Sequence, residues 1–368
     1  MDDSTVVEEG EKILKMLGEI TAVALSFLLC HLFTPLVKGI AVRLNIGEKP
    51  NGRTSRDLVH IGGVAIIGAV LFTLLPFFLF FIEEAPLTRI LVPLLIASGF
   101  LIFLLGIIDD LRSLHYSYKL IIQIAVSVFV AAFGLALLSH FRVTSLSIYG
   151  NIIAFIVVSI WMLVITTSFN LIDGVDGLAS GLAFIYAVAF AAVGMIFGEP
   201  LVTTLSLVVA GSVFAFLKYN FPPAKILMGD TGSLFLGLLF GFITLVAVVK
   251  AKSLFLTAAG SVVILSVPIL DTGLAFSRRL ITGRPVFEAD HKHMHHILLY
   301  RFRSVRIVDF IIWSIAAGTA ILGVYVVKGS LICLVVALAI DGALFFVMLR
   351  AMTQAGISEE ELIEILHS

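Results

Sequence analysis

The chain has 368 residues, 60% of them hydrophobic and only 13% charged, with a mean hydropathy of +1.13 and a formal net charge of −1. A soluble domain carries roughly one quarter charged residues, so this composition excludes an ordinary soluble fold and points to a polytopic membrane protein. The near-neutral balance argues against a nucleic-acid partner. The two cysteines, Cys30 and Cys333, sit inside apolar runs, which argues against a disulfide framework or a thiolate metal site.

The N-terminal stretch MDDSTVVEEGEK is acidic, unlike a signal peptide or mitochondrial presequence. A membrane span needs about 20 mostly apolar residues. About eleven such runs follow, at 19–41, 61–82, 90–108, 117–138, 152–169, 178–197, 201–217, 232–249, 256–277, 307–327 and 330–350. Pro76, Pro93 and Pro268 fall inside runs and are expected to kink them. No repeat and no Pro/Ser-rich linker divides the chain. The expectation is one all-α integral-membrane domain over 1–368. An odd number of spans puts the termini on opposite sides. Seventeen Lys and Arg residues fall on the face reached after the first span and seven on the other. The positive-inside rule then makes the first face cytoplasmic, with the N-terminus outside and the C-terminus inside. The tail 358–366 reads as a short amphipathic helix capped by Ser358.

The chemically capable residues gather on that cytoplasmic face, in loops at 42–60, 109–118, 170–177, 218–231 and 278–306. Asp109 and Asp110 end an unbroken apolar run from Ile90 to Ile108. Adjacent carboxylates near lipid are costly and repel each other, unless a cation or phosphate chemistry uses them. The plain alternative is a solvated acidic helix end. In NLIDGVDG (170–177), Asp173 and Asp176 are three apart and share a face if the turn is helical. The alternative is a Gly-rich turn with capping acids. Asp230 in MGDTGS can cap the next helix, whose N-terminal amides also form a natural anion site. Asn220 is a polar group before Pro222-Pro223, readable as an ordinary turn. The segment His291, His293, His295, His296 invites a zinc reading, with His291 and His295 four apart. No Cys is near, however, and Arg284, Lys292 and Arg301 crowd the loop, which suits an anion better. Asp341, mid-span, is expected to face the bundle, and Asp271 to orient Arg278 or Arg279. Together these describe a membrane enzyme with an acidic, metal-dependent site open to the cytosol. A cation-coupled secondary transporter is the competing reading. Transporter sites lie near the midplane on broken helices, whereas these acids sit at span ends.

The stretches KPNGR (49–53), IGG (61–63), GIIDDLRSL (106–114), Lys119 with Gln123, NLIDGVDGLASG (170–181), YNFPPAKILMGDTGSLFLG (219–237), PILDTGLAFSRR (268–279) and GRPVFEADHKHMHH (283–296) together resemble the polyprenyl-phosphate N-acetylhexosamine-1-phosphate transferase family, glycosyltransferase family 4. The resemblance covers about 45–300. It implies transfer of N-acetylglucosamine-1-phosphate from UDP-N-acetylglucosamine to a polyprenyl (undecaprenyl) phosphate, releasing UMP and starting a cell-envelope glycan. It also implies Mg²⁺, with Mn²⁺ as a substitute, held by Asp230 and Asn170. Asp109, Asp110 and Asp173 become catalytic candidates. Lys49, Lys119, Asp176, Asn220, Arg284, His293, His295, His296, Arg301 and Arg303 become substrate-binding candidates. The implied setting is the inner, cytoplasmic membrane, with the lipid bilayer as partner and a homodimer left open. The His segment is similar to that of the N-acetylglucosamine-1-phosphate enzymes. Two features depart from the family pattern. The first loop is short, with Arg53-Thr54-Ser55-Arg56 followed by Val59-His60-Ile61-Gly62-Gly63. Leu227 stands where muramoyl-pentapeptide enzymes carry an aromatic residue.

Overall fold

A computed structural model of the chain describes residues 3–47, 58–81, 86–140, 147–283 and 293–354. The described residues form helices α1 (Asp3–Arg43), α2 (Gly63–Phe81), α3 (Pro86–Arg112), α4 (Tyr116–His140), α5 (Ile148–Ile172), α6 (Leu178–Phe197), α7 (Pro200–Asn220), α8 (Gly229–Val249), α9 (Leu254–Ile264), α10 (Ser266–Ile281), α11 (Met294–Phe302), α12 (Val305–Val327) and α13 (Leu331–Gln354), and no strand. Nine of them are long and apolar enough to cross a membrane, and the bent pair α9–α10 makes a tenth candidate span. The shorter apolar helix α2 accounts for the remaining run. A helix satisfies its own backbone, which is what a lipid environment demands. Exposed Leu28, Leu32, Phe133, Ile153, Leu338 and Phe346 cover the outer faces of α1, α4, α5 and α13, as expected where the solvent is hydrocarbon.

The run 256–277 departs from the expected single kinked span. It splits into α9 and α10, which meet at 74°. The break lies at Leu265 (φ −94°, ψ 18°) rather than at Pro268. Pro268 is the third residue of α10. There its missing N–H would have had no intrahelical acceptor in any case. Pro76 and Pro93 lie within α2 and α3, each of which runs on past its proline. α1 begins well before the expected start at 19. The loop 278–306 contains α11, a helix the apolar pattern did not announce. The tail 358–366 lies outside the described residues.

α8 is the hub of the bundle. It packs on α3 and α5 most extensively, and also on α2, α6, α7 and α9. Its N-terminus meets the polar ends of its neighbours. Gly229 enters α8 at φ +73°, a conformation open to glycine, and a Cβ there would collide with the His60 carbonyl and the Asp110 carboxylate. The loop before α2 pairs its backbone with the loop before α8: Leu227 N–H donates to the Val59 carbonyl at 2.8 Å, Gly62 N–H to Leu227 at 2.9 Å and Gly63 N–H to Met228 at 2.7 Å. These bonds fix the mouth of α8 against the loop that precedes α2.

Candidate active site

Asp109 and Asp110 are neighbours in sequence, but their carboxylates bond different groups. Consecutive residues on a helix point about 100° apart. Each acid therefore finds its own partners, and the repulsion suggested by their adjacency is relieved. Asp110 turns to the N-terminus of α8. Its Oδ1 accepts from Asp230 N–H at 2.7 Å, and its Oδ2 from Thr231 N–H at 3.0 Å and Thr231 Oγ1 at 2.5 Å. It acts as a helix cap supplied by another helix. Two of the amides that the sequence offered to a phosphate, those of Asp230 and Thr231, are thus already taken.

Asp109 turns the other way. Its Oδ1 accepts from Leu114 N–H at 2.6 Å, closing the turn after α3. Its Oδ2 pairs with Lys119 Nζ at 2.6 Å. The same ammonium pairs with Asp230 Oδ2 at 2.5 Å. Lys119 lies in the first turn of α4, where the helix dipole disfavours a cation. The two carboxylates make up for that placement. Asn170, from the last turn of α5, donates to Ser233 Oγ at 3.1 Å and lies beside the Asp230 carboxylate.

Asp173 follows α5. Burial and the nearby charges of Asp230, Asp110 and Asp176 push its carboxyl well above the ordinary range. The segment 173–177 is a turn rather than a helical continuation. Asp176 reaches from it to the loop after α7, where its Oδ2 accepts from Ala224 N–H at 2.7 Å. Asn220 is buried and braces the same junction. Its Oδ1 accepts from Gly177 N–H at 3.1 Å and Ser180 Oγ at 2.8 Å, and its Nδ2 donates to the Ile226 carbonyl at 3.1 Å.

The histidines join this cluster through α10 and α11. Asp271 of α10 caps α11, accepting from Met294 N–H at 2.6 Å and pairing with His293 Nδ1 at 2.8 Å. Its carboxylate is therefore engaged by the histidine segment. The His295 ring packs against Gly174, where a Cβ would overlap it. It stacks beside His293 and His296, with centroids 5.7 and 4.1 Å away. Neither of its ring nitrogens has a hydrogen-bond partner among the described residues. Burial, then the neighbouring His296 and His293, hold its pKa well below the usual histidine value. His295 is thus held in its neutral form. Arg301 and Arg303 are exposed at the other end of α11, stacked over Phe302 and Tyr300. That end is on the order of 10 Å along the helix from His293. Lys49, Arg284 and His291 lie outside the described residues.

Lys119 is held between Asp109 and Asp230, with Asp110 bound to the start of α8 beside them and Asp173 near enough to feel the charges of Asp230, Asp110 and Asp176. Among the described residues no group of three His, Cys, Asp or Glu side chains is set to hold a metal. Mg²⁺ needs less from a protein, one or two carboxylates with substrate oxygens and water completing the shell. Asp230 beside the Asn170 amide, in a site with surplus negative charge, fits that donor set. Two residues carry more than the sequence assigned them: Thr231 as a partner of Asp110, and Asp309, a buried acid of α12. Asp309 had a signal, a charged residue within an apolar span.

Comparison with known proteins gives the family of the chain. Residues 92–248 match the model of "Glycosyl transferase family 4". The chain is 35% identical over 305 residues to a "Probable undecaprenyl-phosphate N-acetylglucosaminyl 1-phosphate transferase" of Bacillus subtilis (strain 168), covering 82% of this chain and 83% of that protein. It is 36% identical over 160 residues to the phospho-N-acetylmuramoyl-pentapeptide-transferase of Moorella thermoacetica, covering 44% and 48% of the two chains. A transferase of the same name from Desulforudis audaxviator is 28% identical over 341 residues, 85% of this chain and 99% of that one. With all-helical architecture, apolar spans and a carboxylate–lysine cluster at the mouth of α8, the chain belongs to glycosyl transferase family 4, the membrane-embedded phospho-sugar transferases.

Proposed function

We propose that this enzyme transfers N-acetylglucosamine-1-phosphate from UDP-N-acetylglucosamine to a polyprenyl phosphate such as undecaprenyl phosphate, releasing UMP. The observation that carries the reading is the Lys119 bridge between Asp109 and Asp230 at the mouth of α8, with His295 packed on the adjoining 173–177 turn. An oxygen of the lipid phosphate attacks the β-phosphorus, the one that bears the sugar. A P–O bond forms there, and the bond from that phosphorus to the bridging oxygen breaks. UMP departs with the electron pair. The nucleophile is already an anion, so the main obstacle is bringing two anions together. A divalent ion, Mg²⁺ or Mn²⁺, held by Asp230 and Asn170 would neutralise charge on the diphosphate. Lys119 supplies positive charge beside it. Asp109 holds Lys119, and Asp110 keeps the mouth of α8 in shape. Asp173 is the carboxyl placed to exchange its proton when cations arrive. Neutral His295 offers one ring N–H and one acceptor to a polar sugar substituent.

The site opens to the cytoplasm of the inner membrane in this reading, with the N-terminus outside and the C-terminus inside. Reporter fusions at Ser368 and near residue 10 read that orientation. The reaction itself is tested with purified enzyme, undecaprenyl phosphate and radiolabelled donors supplied one at a time. Labelled lipid is expected from UDP-N-acetylglucosamine and none from UDP-N-acetylmuramoyl-pentapeptide. Equal use of both donors, or no lipid product from the first, defeats the assignment.

A further inference from the structure

One buried acid has no part in this scheme. Asp309, in the second turn of α12, is 0% exposed, and neither carboxyl oxygen has a hydrogen-bond partner among the described residues. Acids inside a span are costly, and a buried polar group without a partner calls for an explanation. Gly177, the left-handed residue entering α6 at φ +80°, lies directly against it. A Cβ on Gly177 would stand 3.2 Å from Asp309 Oδ2 and 3.0 Å from Pro222 Cδ. One turn earlier on α12, Arg306 Nε donates to the Pro222 carbonyl at 3.0 Å, and its guanidinium lies 5.9 Å from the Phe221 ring centroid. One turn later, Trp313 Nε1 donates to the Leu178 carbonyl at 3.2 Å. The start of α12 is thereby tied to both loops that carry Asp176 and Asn220.

Several protein donors near Asp309 are committed elsewhere. Gly177 N–H and Ser180 Oγ serve Asn220, Ala224 N–H serves Asp176, and Arg306 Nε serves Pro222. What Asp309 lacks is a donor, and a ligand can bring one. A pair of acids, Asp176 and Asp309, repels phosphate and suits a neutral group rich in hydroxyls. The phosphate end of the nucleotide belongs at Lys119, so the ribose is left for this end. One carboxylate accepting from ribose hydroxyls is a recurrent arrangement in nucleotide sites.

We infer that Asp309 is a nucleoside-binding residue whose carboxyl accepts from the ribose hydroxyls of the nucleotide once the 173–177 turn moves aside. The inference rests on the proposed reaction in that the nucleotide is its ligand. The test compares UMP with 2′,3′-dideoxyuridine monophosphate as inhibitors of wild type and Asp309→Ala. Wild type is expected to favour UMP by a few-fold to about tenfold, the loss of hydrogen bonds to a buried carboxyl. Asp309→Ala is expected to bind the two alike, with its KM for the lipid phosphate unchanged. Asp309→Asn, close in shape, is measured beside it and serves if the Ala variant fails to accumulate; its preference is expected to drop severalfold. Persistence of the full UMP preference in a folded variant, or its absence in wild type, overturns the inference. Wild type that produces no lipid-linked sugar marks failure of the proposed reaction instead. Thermal shifts with the two nucleotides still decide the role of Asp309 in that event.

Discussion

α8 and α13 are close to indistinguishable by hydropathy and opposite in placement. Their most apolar windows average 2.4 and 2.7, yet 83% of the first is buried inside the protein and only 17% of the second. In water, burial follows hydrophobicity. In a bilayer, lipid is as apolar as the core, so packing and polar contacts decide which helix goes inside. α8 carries small residues where neighbours approach: a Cβ on Gly237 would stand 2.7 Å from Thr166 Cα and 2.9 Å from the Ile165 carbonyl. The glycine of α13, Gly342, has nothing within 4 Å. α8 also starts with Asp230 and Thr231, both gripped by other helices.

The largest expected effect is at the buried helix's polar end. Asp230→Asn is expected to cut turnover by about a hundredfold or more, since it removes charge facing the reacting diphosphate. EDTA is expected to stop wild type, with Mg²⁺ or Mn²⁺ restoring it. Lipid-product formation in both assays reads this, and full activity in either removes the metal from the site.

Next comes the packing contrast itself. Gly237→Leu is expected to destabilise the detergent-solubilised protein by about 1–3 kcal/mol through overpacking. Gly342→Leu is expected to leave its melting temperature within error of wild type. Equal shifts would mean that α13, too, is held by close protein contacts.

A third measurement uses pH. Asp173 faces the mouth of α8, and its folded-state pKa lies well above the ordinary 3.8. A carboxyl raised in this way binds its proton more tightly when folded. Its contribution to stability is intact below 3.8 and is lost as pH climbs from there towards the folded-state value. In EDTA, wild type is expected to lose stability over that climb, and Asp173→Asn to lose less. Parallel pH curves for the two proteins would show that Asp173 does not carry this linkage.

The smallest effect is expected from His295→Ala: a KM for the nucleotide donor raised a few-fold to about tenfold, with the melting temperature little changed. An unchanged KM would restrict α11 to a packing role.

Much of this was legible before any coordinates. Apolar runs of span length located the helices because lipid enforces both length and composition. Acids at the ends of those runs pointed to the candidate site because they are costly there without a purpose. What stayed hidden depends on direction and on distant partners. Sequence adjacency made Asp109 and Asp110 look like one unit, whereas helix geometry assigns them to different neighbours. The break at Leu265 was misplaced to Pro268 because a proline's effect depends on its position within the helix. α11 went unseen because nine residues of mixed polarity, MHHILLYRF, give no periodic signal, and its cap, Asp271, lies 23 residues upstream of the amide it holds. Asp309 went unnamed because its want of partners shows only in the folded structure.

The cap that Asp110 places on α8 also sets a constraint on assembly. The acceptor stands 120 residues before the amide it receives. Synthesis runs from the N-terminus, so α3 is made and inserted while α8 does not yet exist. When α8 emerges, the groups that complete its first turn are already at the membrane surface, and α8 matures by docking onto them. The mouth of α8 is therefore a joint between an early and a late part of the chain, and it closes only when the two halves have met.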